Sequence, residues 1–187
     1  MTGGTAEREG SLTAEEREEL IGIARRAAAS GVRGERMPER PPRQGKLTLP
    51  GAAFVTIRRG RDLRGCIGYT ESSAPLYRSV QDCAVAAATR DPRFPRVTPE
   101  ELGDVRIEIS VLTPLVPVRP EEVTVGVHGL MIRKGDRQGL LLPRVAVDEG
   151  WDRLRFLAGV CEKARLPTDA WKEGADLYSF TAEVFGE

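Results

Sequence analysis

The sequence predicts an α+β fold with a mainly antiparallel sheet flanked by helices. Three observations lead there. The elements run helix, two strands, helix, several strands, helix, strand. Neighbouring strand-like runs are joined by short turns rich in glycine and aspartate, the mark of antiparallel hairpins. The regular strand–helix–strand alternation of a parallel sheet is missing. With 187 residues the chain can build one substantial core, or a domain with a lobe inserted into it.

Residues 1–10 are polar and glycine-rich and read as a disordered tail, so the folded domain is expected over 11–187. Thr13 and Glu16 form a capping box. Leu20, Ile23, Ala24 and Ala27 recur at helical spacing, which predicts a helix over 13–30 ended by Gly31 and Gly34. A long loop with four prolines fills 34–50. Ala53, Val55 and Ile57 alternate with Phe54, Thr56 and Arg58, and the chain turns at 59–62 and returns over 63–69. Pro75 opens a helix whose buried stripe is Leu76, Val80, Cys83, Ala84, Ala87 and Ala88.

Asp91-Pro92-Arg93-Phe94-Pro95 is a rigid turn, because both prolines fix φ. Thr98 to Glu101 is a second capping box opening one helical turn. Val105, Ile107, Ile109 and Val111 alternate with Arg106, Glu108, Ser110 and Leu112, which predicts a half-buried strand. A second hairpin spans 123–142 and turns at Gly135-Asp136. Leu154, Leu157, Ala158, Cys161 and Ala164 mark a helix over 152–165, and a last strand covers 177–185.

Bulk properties exclude several function classes. The formal charge is zero, so the total gives no drive toward nucleic acid or anionic membrane. Every apolar run is too short to span a bilayer, and the start has no secretory core. Three cysteines without framework spacing point to a reducing, cytoplasmic setting. Those cysteines and the single histidine are tens of residues apart, so no metal site is expected. No Walker loop, dinucleotide fingerprint or zincin motif occurs, which leaves any cofactor unassigned.

The chemistry-bearing segment is Leu63-Arg64-Gly65-Cys66-Ile67-Gly68. Strand alternation sets Leu63, Gly65 and Ile67 on one face and Arg64, Cys66 and Gly68 on the other. A guanidinium beside the Cys66 thiol would favour thiolate, and the glycines would admit a ligand to the backbone. The alternative is a packed small cysteine, with glycines serving tight helix–sheet contact. Cys83 and Cys161 sit on helical apolar stripes and read as core. A cysteine nucleophile would need His128 as its base, although His128 shares a strand face with Leu130 and Ile132. Arg58, Arg59, Arg61 and Arg64 crowd one hairpin and form either an anion patch or a solvated turn. Glu108 and Ser110 face solvent or line a cleft.

The chain resembles the AMMECR family. The resemblance rests on the hexapeptide 63–68, on 90–95, on 98–102 and on Ile107-Glu108-Ile109-Ser110-Val111-Leu112. It continues through His128-Gly129-Leu130, 139–143 and 180–187. It implies two lobes, the larger from both chain ends and the smaller from the middle, with a cleft between them that the hexapeptide helps to line. It also implies an enzymatic or nucleic-acid-related role, with Memo-like and radical S-adenosylmethionine proteins as pathway partners. Tyr69 stands where the family favours a small hydroxyl residue, and Arg144 where it favours glutamine.

Three functions follow as expectations. In the first, an enzyme acts on a small or nucleotide-like anion: Arg64 orients it, Cys66 attacks and His128 shuttles a proton. Gly65 and Gly68 leave room, while Arg93, Glu108 and Ser110 contact or support the substrate. In the second, a binding or adaptor module uses the basic hairpin and the proline-rich loop without chemistry. The third is RNA binding through Arg58, Arg59 and Arg61.

Overall fold

The computed structural model describes residues 11–37, 41–42 and 45–187. The tail at 1–10, and Glu39, Arg40 and Arg43 of the proline-rich loop, lie outside them. The chain packs as two compact units, Met1–Val111 with Glu183–Glu187, and Leu112–Ala182.

The first unit begins with α1 (Ala14–Arg33). Thr13 accepts from the Glu16 amide and Glu16 accepts from the Thr13 amide, so the capping box is closed in both directions. The helix runs past Gly31 and stops only at Gly34, which is left-handed at φ 69°. Strands β1 (Ala52–Arg59) and β2 (Asp62–Gly68) pair antiparallel about a Gly60-Arg61 turn, so Arg59 and Asp62 belong to the strands. Then comes α2 (Leu76–Thr89), with its whole expected stripe buried. A 3₁₀ turn over Pro99–Gly103 carries the second capping box and leads into β3 (Val105–Leu112). Helices α1 and α2 cover one face of the sheet, where Ala53, Val55, Ile57, Val105, Ile107 and Ile109 supply its core.

The second unit starts with the short β4 (Val116–Pro117) and a 3₁₀ turn at Pro120–Glu122. Strands β5 (Gly129–Lys134) and β6 (Arg137–Leu141) form the second hairpin about Gly135-Asp136. It is shorter than expected, because 123–128 form turns rather than strand. Two helices follow, α3 (Pro143–Asp148), which the periodicity did not reveal, and α4 (Arg153–Lys163). Leu154 is exposed in the first turn of α4, and the buried stripe is Phe156, Leu157, Val160 and Cys161.

The expected last strand is two strands. β7 (Asp176–Phe180) and β8 (Ala182–Gly186) separate at Thr181 and join different sheets. The fold is therefore α+β with two four-stranded sheets, β2-β1-β3-β8 and β4-β7-β5-β6, in place of a single one. Pairings β1–β2, β4–β7, β5–β6 and β5–β7 are antiparallel.

Candidate functional site

The hexapeptide lies on β2, an edge strand. Its register carries a bulge. β1 steps from Ile57 opposite Gly65 to Arg58 opposite Leu63, so Arg64 has no partner across the ladder. This corrects the simple alternation expected at the start of the motif.

Cys66 stands opposite Thr56. Its N–H and C=O point outward from the sheet edge, the arrangement of a non-hydrogen-bonded pair. There they meet the 91–93 turn. The Cys66 N–H donates to Asp91 Oδ2 at 2.8 Å, and Arg93 Nη2 donates to the Cys66 carbonyl at 2.9 Å. Asp91 also accepts from Arg93 through its backbone N–H at 3.1 Å, Nε at 2.9 Å and Nη2 at 2.7 Å. A carboxylate that is almost wholly buried is tolerable only with such a set of donors. The Arg93 guanidinium, with the Cys66 and Arg93 amides, holds the Asp91 carboxyl well below the usual carboxylate range. The pair Asp91–Arg93 thus occupies the place of a neighbouring strand and closes the β2 edge at Cys66.

Arg64 is engaged in a second clasp. Its Nε and Nη2 donate to Glu101 Oε1 and Oε2 at 3.0 and 2.9 Å. Nη1 donates to the Pro95 carbonyl at 3.2 Å and Nη2 to the Arg96 carbonyl at 3.4 Å. Glu101 accepts as well from the Thr98 amide, and Arg64 is the main cause of its carboxyl being lowered to about 2. Arg64 is therefore a strut between β2 and the 95–101 segment. Arg93 likewise bridges Asp91 and the Cys66 carbonyl.

The glycines are filled by the protein itself. A Cβ on Gly65 would stand 2.0 Å from the Ala87 carbonyl oxygen of α2, and one on Gly68 would stand 2.2 Å from the Phe54 ring. At both positions the missing side chain serves close packing within the protein.

Because Gly65 faces α2, Cys66 lies on the opposite face of the sheet. Its thiol is half-buried and accepts a hydrogen bond from Thr56 Oγ1 at 3.3 Å. Cys83 and Cys161 are buried as expected, and burial pushes the Cys83 thiol up to about 12.

His128 belongs to the second unit, in the turn just before β5 rather than on a strand face. Its Nδ1 accepts from the Thr124 N–H at 3.1 Å. Ser110 is buried and does not face solvent, so the strict alternation of β3 fails where Ser110 and Leu112 are both enclosed. Arg144 pairs with Asp148 on α3, and Tyr69 is exposed. No three metal-ligating side chains gather among the described residues.

The basic hairpin divides. Arg59 pairs with Asp104 at 3.2 Å and stands 3.6 Å from Glu101. Arg58 lines a cavity of about 240 Å³ in the first unit, together with Arg106, Glu108 and Val184.

Three residues central to this geometry, Asp91, Glu101 and Thr56, carried no functional weight in the sequence. Asp91 was visible only as part of a proline-locked turn, and Glu101 only as a cap. Nothing in a single sequence says that a turn 25 residues away closes a strand edge.

The AMMECR1 family profile matches residues 21–185. Protein MK0488 of Methanopyrus kandleri is 43% identical over 188 residues, spanning 94% of this chain and 90% of its own length. Protein TK0174 of Thermococcus kodakarensis is 44% identical over 182 residues, spanning 90% and 88%. Among solved structures, the crystal structure of uncharacterized protein PH0010 from Pyrococcus horikoshii is similar with a TM-score of 0.87. It is 38% identical and covers 94% of this chain and 93% of that one. Among the described residues no helix is long and apolar enough to cross a membrane. The match over most of the length, in sequence and in fold, places this chain in the AMMECR1 family.

Proposed function

We propose that this protein is a non-catalytic binding module and that its Leu63–Gly68 segment is scaffold. One observation carries the reading: the polar groups expected to do chemistry are already engaged by other residues of the protein. Arg64 uses three nitrogens on Glu101 and two carbonyls. The Cys66 backbone is bonded to Asp91 and Arg93. A cysteine nucleophile that relies on a histidine base needs that ring unengaged, and the only histidine accepts the Thr124 N–H at Nδ1.

Thiol reactivity tests this. Cys66 should react with iodoacetamide within about tenfold of a free cysteine, and Cys66→Ser should keep the native fold. A rate hundreds of times faster, lost in Cys66→Ser, would overturn the module reading. It would restore the enzyme, for which the Thr56 hydroxyl on the sulfur is the supporting contact.

A further inference from the structure

The cavity in the first unit suits one kind of partner. It is lined by Arg58, Arg106, Glu108 and Val184, with Ile107 and Gly186. Gly186 is obligatory there, since a Cβ would come 2.6 Å from the Ile107 carbonyl oxygen. The missing side chain lets β8 run close against the Ile107 and Glu108 main chain of β3.

The charges are unbalanced. Glu187 also borders the cavity, but its carboxylate is held by Arg25, which donates through Nε and Nη2, and by the Ile107 N–H. Arg58 and Arg106 form no ion pair among the described residues. Two guanidiniums then stand against the single carboxylate of Glu108. At about 240 Å³ the space is smaller than the usual drug-sized pocket and admits one side chain or a small anion. The cavity also borders β8, the edge strand of its sheet, with Val184 exposed beside it. An edge strand is where an extended peptide adds by main-chain pairing.

We infer that this cavity receives a carboxylate side chain of an acidic, extended peptide segment of a partner protein that lies along β8. The inference rests on the binding-module reading and names where the module binds. Arg58 and Arg106 clasp the carboxylate through their forked donors, and Val184 packs on the flanking apolar residue.

The test is a titration of the full-length ¹⁵N-labelled protein with a capped pentapeptide alternating glutamate and valine. Amide shifts should concentrate at Gly60, 106–108 and 184–186. The glutamine counterpart of the peptide should bind about tenfold more weakly or worse. The double variant Arg58→Ala/Arg106→Ala should lose affinity by a similar factor while remaining folded, since Arg58 holds no ion pair and Arg106 acts on Glu187 only at longer range. Shifts confined to other residues, or equal binding by the glutamine peptide or the double variant, would overturn the proposal. Inorganic phosphate binding there as tightly as the peptide would also overturn it, in favour of a free small anion. A reactive Cys66 would defeat the module reading without moving these amides, so the two failures are told apart.

Discussion

The two units build edge hairpins by the same device and finish them differently. In each, an edge strand carries a glycine pressed against the end of a helix. Gly65 of β2 meets Ala87 of α2, and Gly139 of β6 meets Lys163 and Ala164 at the end of α4. On β2 the outward main chain is then closed by a buried carboxylate and a guanidinium. The nearest thing on β6 is one exposed arginine, Arg137, donating to the Arg165 carbonyl at 2.6 Å. The close glycine contact is thus a packing device common to both sheets, whereas the charged clasp is what sets the hexapeptide apart. The motif is distinguished by how it seals an edge, and its cysteine supplies the backbone that is sealed.

The sharpest way to break this comparison is to remove each finish. Asp91→Ala orphans the Cys66 N–H and leaves Arg93 only its bond to the Cys66 carbonyl, and should cost about 3 kcal/mol. Arg137→Ala should cost at most about 0.5 kcal/mol, because the bond is exposed. Urea unfolding of both variants measures the gap, and equal losses would abolish the distinction. Acid probes the same asymmetry. Asp91 and Glu101 ionise below their ordinary values of 3.8 and 4.5. Their stabilisation is complete above those values and is lost as pH falls through the lowered ones. Hydrogen-exchange protection at β2, corrected for the intrinsic exchange rate at each pH, should therefore fall as pH drops from about 4.5 towards 2, ahead of β6.

The shared device predicts equal damage. A Cβ at Gly65 meets a carbonyl oxygen at 2.0 Å, and one at Gly139 meets the Ala164 nitrogen at 2.5 Å. Both obstacles are backbone and cannot rotate away. Gly65→Ala and Gly139→Ala should each cost about 2 kcal/mol or more in denaturant midpoint measurements. A harmless Gly65→Ala would reopen the view that this position admits a ligand.

The sequence made the helices and hairpins legible because their signals are local. The stripe of α2, the Thr13 and Thr98 capping boxes and the Gly135-Asp136 turn all lie within one element. What it hid is non-local. The bulge at Arg64 depends on how β1 registers against β2. The break at Thr181 depends on which sheet each half of the terminal strand joins. The roles of Arg64 and Cys66 turn on Glu101 and Asp91, 37 and 25 residues away, and strand periodicity cannot choose between a free guanidinium and a clasped one. The placement of His128 was hidden for a smaller reason, since its turn with Thr124 interrupts a run that reads as strand.

Glu101→Gln sharpens the comparison within the first unit. It keeps the shape of the Arg64 contact and removes its charge, so the loss should be about 1.5 kcal/mol, between that of Asp91→Ala and that of a surface pair. The acid sensitivity assigned to Glu101 should vanish with it and leave the Asp91 component alone. A variant as acid-sensitive as the parent would place that behaviour elsewhere.

The smallest effects lie at the helix caps, where the units again differ. Asp152 accepts only the Arg155 amide at 2.7 Å to start α4, so Asp152→Ala should cost about 1 kcal/mol, an ordinary cap. Thr13→Ala should cost about the same for α1. Its partner Glu16 does more, because Oε2 accepts from the Thr13 N–H at 2.9 Å while Oε1 accepts from the Lys46 N–H at 3.0 Å. That second bond ties the start of α1 to the end of the proline-rich loop. Glu16→Ala should therefore exceed Thr13→Ala by about 0.5–1 kcal/mol, since it frees two backbone donors. Glu16→Gln, whose amide oxygen can serve only one of them, should fall between the two. If Glu16→Ala and Thr13→Ala prove equal in thermal unfolding, the Lys46 bond contributes nothing, and the α1 start is a plain cap like that of α4.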